Sequence, residues 1–206
     1  EALKVLADRA GVPLTHESRE DRSERARAAA ALEAATEYYR AALGRDARAR
    51  EYLAHRGVSP ESVLAFRLGV APDGWRGLLE HLRAGQYSEA EIERAGLAVR
   101  GERGLYDRFR ARLMFPIMSP AGAVIGFSGR TLADDPAKYV NSPQTLLYDK
   151  SRALFGYDKA KGAIREADAC VLVEGQMDLV LSHQAGVAHT VAVSGTALTE
   201  EHLRLI

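Results

Sequence analysis

The sequence predicts a mixed α+β chain that ends in an α/β unit: helices and antiparallel strands first, then a parallel β–α–β segment. Three observations lead there. Helix-length apolar patterns with start and stop signals fill the first half of the chain. Two short apolar runs, Leu113–Met118 and Ala123–Phe127, meet across Ser119-Pro120-Ala121-Gly122, which is a hairpin signal. Near the end, two strand-like runs flank one helical pattern within about 25 residues, the spacing of a βαβ unit with parallel strands. At 206 residues and 47% hydrophobic composition, such a chain can bury a sizeable core.

The elements follow in order. Residues 1–10 read as a short helix, with Leu3, Leu6 and Ala10 on one stripe and Gly11 and Pro13 as its stop. Residues 14–22 are polar and aperiodic, as a linker would be. Ser23 to Leu43 is a long alanine-rich helix ending at Gly44, with Leu32, Tyr39 and Leu43 on its buried side. A helix from Asp46 to Arg56 stops at Gly57. The next starts at Ser59 as N-cap with Pro60 in first position. Ser88-Glu89-Ala90-Glu91 is a capping box. Beyond Gly101 the pattern turns to strands, and Pro116 marks Leu113–Met118 as an edge or bulged strand. A helix over Lys159–Glu166 precedes a buried strand Ala169–Val173, a helix Met177–Gln184 and a strand Thr190–Val193. Thr199 caps a last helix that runs to the end of the sequence, with Glu200 and Glu201 in its first turn.

Bulk properties exclude several classes. No apolar run approaches the roughly 20 residues of a membrane span, and no signal-peptide pattern opens the chain. A single cysteine, Cys170, excludes an internal disulfide framework and fits a reducing compartment, so the expected location is cytoplasmic. The 28 basic and 28 acidic residues cancel, yet they are unevenly placed. Arg100–Arg165 carries twelve Lys or Arg against six Asp or Glu, and the last 41 residues carry one against six. A basic middle before an acidic end suits a polyanion site beside a cation site.

Four segments carry chemistry. In Val171-Leu172-Val173-Glu174-Gly175-Gln176-Met177-Asp178 a strand ends in a carboxylate, glycine permits the turn, and a second carboxylate opens the helix. At the carboxyl ends of parallel strands this pair suits Mg²⁺ or Mn²⁺; on the competing reading Glu174 caps the helix and Asp178 is solvated. The loop Val193–Thr199 offers backbone N–H groups to an anion, or else Thr199 simply caps. In Tyr106–Arg112, strand alternation puts Arg108, Arg110 and Arg112 on one face, as a phosphate site or as charges guarding a sheet edge. Lys138-Tyr139-Val140-Asn141-Ser142-Pro143, followed by Tyr148-Asp149-Lys150, interleaves cations and aromatics, as single-stranded nucleic acid binders do, or is an ordinary loop.

In this order the segments resemble the bacterial DnaG-type DNA primases. The likeness runs over the whole chain and is carried by Tyr-Asp-Arg-Phe-Arg at 106–110, Phe-Pro-Ile at 115–117, Val-Ile-Gly-Phe-Ser-Gly-Arg at 124–130, Lys-Tyr-Val-Asn-Ser-Pro at 138–143 and Leu-Phe-Gly-Tyr at 154–157. Glu-Gly-x-Met-Asp at 174–178 and Gly-Thr-Ala-Leu-Thr at 195–199 complete it. The resemblance implies a basic N-terminal subdomain over 23–167 and the first part of a Toprim-type parallel sheet over 168–206, with 1–22 as a linker remnant after a zinc-binding module. It implies synthesis of short RNA primers on a single-stranded DNA template from ribonucleoside triphosphates in bacterial cytoplasm at replication forks, with replicative helicase and single-strand-binding protein as partners. By the same resemblance Arg56, Arg108, Arg110, Arg112, Arg130, Lys138, Asn141 and Lys150 bind template or nucleotide. Glu174 is a metal ligand or helps deprotonate the attacking 3′-hydroxyl, and Asp178 is a second metal carboxylate.

Three departures from that family stand out. Gln176 replaces its usual tyrosine. No zinc-ligand spacing exists among Cys170 and the six histidines, so zinc belongs to the module that does not occur in this sequence. The family's Asp-x-Asp metal motif is expected beyond residue 206, which makes the chain a fragment that is close to inactive by itself. The competing functions are a Toprim nuclease or topoisomerase-like enzyme, which has no use for the basic motifs, and a noncatalytic single-stranded DNA-binding module, which needs no metal.

Overall fold

The computed structural model describes residues 18–133, 136–195 and 197–206; the helix expected over 1–10 lies outside them. The first helix, α1 (Arg19–Arg45), begins earlier than the sequence suggested. Ser18 caps it by accepting from Asp21 N, and the Asp21 side chain returns the bond. This box converts the end of the expected 14–22 linker into helix. At 27 residues, α1 is about 40 Å long. Its expected buried side is borne out, with Leu32, Tyr39 and Leu43 all at or below 5% exposure.

After α1 come α2 (Ala47–His55), capped by Asp46, and α3 (Pro60–Ala65), capped by Ser59 with Pro60 in the first turn. Strand β1 (Gly69–Ala71) follows, then α4 (Gly77–Ala84) and α5 (Glu89–Arg94). The box at Ser88 and Glu91 opens α5 as expected. The antiparallel pair β2 (Ala98–Gly101) and β3 (Gly104–Asp107) precedes the hairpin of β4 (Arg112–Met118) and β5 (Val124–Thr131). With β6 (Tyr139–Asn141), the hairpin completes an antiparallel sheet ordered β1-β4-β5-β6. Then α6 (Tyr157–Ala167) leads to β7 (Val171–Val173), α7 (Gln176–Gln184) and β8 (Thr190–Ala192), with β7 and β8 parallel. Thr199 caps α8 (Glu200–Leu203), which stops short of the chain end expected for it.

Two expectations need correction. Of the two alternatives expected for β4, the edge is not realised, since the strand is interior, but the bulge is: the register with β5 shifts between Ile117 and Met118. β1 pairs only with residues 112–114 of β4. Pro116 therefore sits beyond the end of β1, where β5 alone is paired, and its missing N–H costs no second ladder. The strand expected to be buried at 169–173 is shorter and exposed, with Val171 at 37% and Leu172 at 42%.

Alternate residues of β4 enter different cores. Met114 joins Leu32, Tyr39, Leu78, Leu97 and Phe127 on the side of α1, α4 and α5. Leu113, Phe115 and Ile117 join Phe66, Phe155, Met177, Leu179 and Ala192, so the parallel unit shares its core with the antiparallel sheet. Phe155 also pairs with Ala192 through two backbone hydrogen bonds of 2.9 and 3.0 Å. This bridge flanks β8 on the side away from β7. α1 crosses β1 so closely that a Cβ at Gly69 would lie 2.6 Å from Tyr39 Cβ.

A surface ion pair ties α1 to α5: Arg27 Nε donates to Glu91 Oε1 at 2.6 Å. That guanidinium, with the Ser88 N–H and hydroxyl, holds the Glu91 carboxyl down at about 2. A depressed carboxyl contributes stability above its unfolded value and loses it as pH falls. The expected outcome is that stability falls between about pH 4.5 and pH 2. Glu91→Gln flattens that part of a pH-dependent denaturation curve, and added salt weakens the effect because the pair is solvent-screened.

Candidate active site

Glu174 leaves the end of β7 as an exposed side chain, and the N-cap position of α7 falls to Gly175. Among the described residues no side chain caps α7, so the reading of Glu174 as a helix cap is not realised. Asp178, exposed in the first turn, leans back over the turn: a Cβ on Gly175 would sit 2.8 Å from Asp178 Oδ2. Two carboxylates thus flank one glycine at the carboxyl end of a parallel strand. This all-oxygen, partly open set fits Mg²⁺ or Mn²⁺, which keep waters or phosphates in their remaining positions. Among the described residues no group of three or more His, Cys, Asp or Glu converges on a metal position.

The first residue of α7 points the other way. Gln176 is buried, and its Nε2 donates to Ser128 Oγ of β5 at 2.8 Å. Across the β5–β6 ladder Ser128 pairs with Asn141. Asn141 Nδ2 donates to the backbone oxygen of Ser194 at 2.9 Å, in the loop that leaves β8. Ser194 has φ +56°, a left-handed conformation that is uncommon outside glycine. Neither Asn141 Oδ1 nor Ser194 Oγ, both buried, has a hydrogen-bond partner among the described residues. The rest of that loop includes Thr196, which lies outside the described residues. Thr199 takes its expected capping role, accepting from His202 N at 3.1 Å.

The three arginines do not share a strand face, which corrects the alternation read from the sequence. Residues 108–111 are a connector between β3 and β4, and Ala111 at φ +48° turns the chain inside it. Arg108 is half-buried and donates through Nε and Nη2 to the Asn141 backbone oxygen at 3.1 and 2.8 Å. Burial pulls its guanidinium below the usual arginine range. Arg112 is buried and donates to the backbone oxygens of Gly129 and Ala137, at 3.3 and 2.9 Å. Arg110 donates to the Asp107 oxygen at 2.6 Å and stacks on Trp75 and Tyr106, at 4.2 and 5.1 Å from the ring centroids. Like-charge repulsion is avoided by giving each guanidinium its own acceptors.

Arg130 sits between two tyrosines. Its Nη1 donates to Tyr139 Oη at 2.8 Å, and its guanidinium lies over the Tyr52 and Tyr139 rings. Burial pushes the Tyr139 phenol up, its Arg130 partner opposes that, and the charge of Asp178 is close enough to add to the rise. Lys138 is exposed beside Tyr139, and Arg56 is half-buried at the end of α2. Lys150 is half-buried in a loop whose backbone oxygen contacts His202 Nε2 at 3.2 Å.

Sequence reasoning missed Trp75. It is 65% exposed and meets Tyr106 edge to face at 5.4 Å, with Arg110 stacked on it. The sequence's only tryptophan, set directly after Pro72-Asp73-Gly74, was the available clue.

Residues 38–161 match the family model of the DNA primase catalytic core, N-terminal domain, and residues 168–206 match that of the Toprim domain. The chain belongs to the DnaG-type DNA primase family. DNA primases resemble it along its whole length: that of Mycobacterium leprae is 44% identical over 100% of this chain and 34% of the relative. For Deinococcus radiodurans the figures are 43%, 100% and 36%. The chain therefore spans about a third of the length of these curated relatives. The RNA polymerase domain of Mycobacterium tuberculosis primase DnaG, solved with an overhanging double-stranded DNA oligomer, superposes with a TM-score of 0.84 at 44% identity. That match covers 87% of this chain and 58% of that one. A DnaG primase catalytic domain bound to single-stranded DNA gives 0.80 at 38% identity, over 89% and 60%. The zinc-binding and RNA polymerase domains of Aquifex aeolicus primase give 0.82 at 35% identity, over 99% and 50%. In this chain, then, the Toprim match opens at residue 168, just ahead of β7 and the Glu174 that follows it, and the basic motifs fall within the N-terminal match.

Proposed function

We propose that this chain is the catalytic-core part of a primase that joins ribonucleotides on a single-stranded DNA template, with residues 23–167 as the basic subdomain and 168–206 as the start of the Toprim subdomain. The observation that carries the reading is the contact between the Glu174–Asp178 turn and the basic subdomain: Gln176 Nε2 donates to Ser128 Oγ at 2.8 Å, on the strand that also carries Arg130. Glu174 and Asp178 would hold Mg²⁺ or Mn²⁺, which when bound supplies stabilisation of the attacking and leaving oxygens. Glu174 also helps take the 3′-hydroxyl proton. Arg130 and Lys138 hold triphosphate; Arg56, Arg110 and Lys150 attract the template backbone. Arg108 and Arg112 act chiefly by bracing the loops around Asn141 and Ala137, since Arg108 Nε and Nη2 and Arg112 Nη1 are already engaged with backbone oxygens there. The helicase, single-strand-binding protein and replication-fork location follow from the family reading.

The test is ribonucleotide incorporation on single-stranded DNA by the full-length protein with Mg²⁺ or Mn²⁺. Metal-dependent RNA supports the proposal; salt-sensitive DNA binding with no RNA under either metal would leave a binding module instead. Strand cleavage would turn the reading toward a nuclease.

Trp75 provides a stacking platform for a template base. Base–aromatic stacking is worth about 1–3 kcal/mol on alanine substitution. Trp75→Ala is therefore expected to weaken single-stranded DNA binding about tenfold, measured by fluorescence anisotropy. An unchanged affinity would remove Trp75 from the template path.

A further inference from the structure

We infer that the Ser128–Asn141 cross-strand pair is a two-point clamp that sets the spacing of the loops leaving β7 and β8, with Gln176 as the positioning residue of the Glu174–Asp178 turn. This rests on the reading of Glu174 and Asp178 as metal-site carboxylates.

β5 and β6 pair through only three positions, 128–130 with 139–141. The Ser128–Asn141 position reaches both loops of the parallel unit at once. Ser128 Oγ receives Gln176 Nε2 at 2.8 Å, and Asn141 Nδ2 reaches the Ser194 oxygen at 2.9 Å. Ser128 and Gln176 are both nearly inaccessible, at 0% and 2%. A slip of the turn would therefore leave two buried polar groups without partners that water could replace. Gln176 is separated from Glu174 by Gly175 alone, so fixing its side chain fixes the direction in which the turn presents Glu174. Asn141 is held in turn by Arg108 on its backbone oxygen. Loss of a group bonded directly to a metal ligand typically costs about 10–100-fold in metal affinity or activity. Gln176 acts on Glu174 only through the backbone of the turn, so its expected effect lies at the lower end of that range.

The test uses the full-length protein carrying Gln176→Leu, Ser128→Ala or both. Two quantities are read: amide hydrogen exchange across Glu174–Asp178 without metal, and the Mg²⁺ concentration for half-maximal RNA synthesis. Each single variant is expected to speed exchange in that turn at least tenfold and to raise the half-maximal Mg²⁺ concentration about tenfold. Single-stranded DNA affinity should stay unchanged. The double variant is expected to match the worse single one, as for two members of one bond. Ser128→Thr, which keeps the hydroxyl, is expected to retain wild-type exchange. Unchanged exchange in both single variants, or additive effects in the double, would overturn the clamp. If Gln176→Leu does not fold, the smaller Ser128→Ala change decides. If the wild-type protein makes no RNA the polymerase reading fails, while the exchange result still judges the clamp.

Discussion

Glu174→Gln is expected to lower RNA synthesis by the full-length protein at least about 100-fold, the upper end of what losing an outer-shell metal partner does. Single-stranded DNA affinity should change less than about twofold. The substitution keeps the size of an exposed side chain and removes its charge. It takes no hydrogen bond from α7, which Glu174 does not cap, so stability should hardly move. The cationic and aromatic groups proposed for the template, Arg110 with Trp75 among them, belong to other elements and are untouched. Primer synthesis and DNA anisotropy measured on one preparation separate the effects. Full activity in Glu174→Gln would remove this carboxylate from the chemistry, and a parallel loss of DNA binding would make it a folding or template residue instead.

The largest expected effect on stability belongs to Phe127. Its ring is wholly buried, 5.4 Å from Tyr39 and 6.2 Å from Phe109, both edge to face. It therefore joins β5 to α1 and to the connector that carries the arginines. Truncating such a ring removes its transfer free energy and leaves a cavity that close packing cannot refill, about 3–5 kcal/mol for Phe→Ala. Phe127→Ala is expected to lower the urea midpoint by an amount corresponding to that range. A cost under about 1 kcal/mol would mean that the α1 face of the sheet is not the core described.

What could be read from the sequence depended on how local the cause is. Ser59 with Pro60, Ser88 with Glu91, and Thr199 each act on backbone N–H groups within the same turn, so their helix starts were legible residue by residue. The Ser119–Gly122 turn set the β4–β5 hairpin for the same reason: Ser119 and Ala123 close it locally, Ser119 N donating to the Ala123 oxygen at 2.7 Å. β1 and β6 are three residues each and gain their state only from β4 and β5, so no period within them announces a strand. The arginine face failed because alternation assumes an unbroken strand, and Ala111 breaks it with a left-handed turn. Of the site, the carboxylate pair was legible as strand, glycine and helix start. The partnership of Gln176 with Ser128 joins residues 48 apart, and a buried polar match of that kind has no local signature. The resemblance to primases carried the roles of the basic residues, which spacing left open.

The core that Phe115 and Phe155 share with Met177, Leu179 and Ala192 bears on how the protein can be divided and recombined. The two family matches meet between residues 161 and 168, yet the packing has no plane of cleavage at that seam. A parallel β–α–β piece grafted elsewhere from residue 168 onward would arrive with the inner face of α7 bare and without the Phe155 strand mate of Ala192. Any host would have to bring an apolar sheet face of its own. The basic half, left behind, would in turn uncover two aromatic rings. Gene shuffling can separate the halves on paper; their joint interior makes them heritable as a pair.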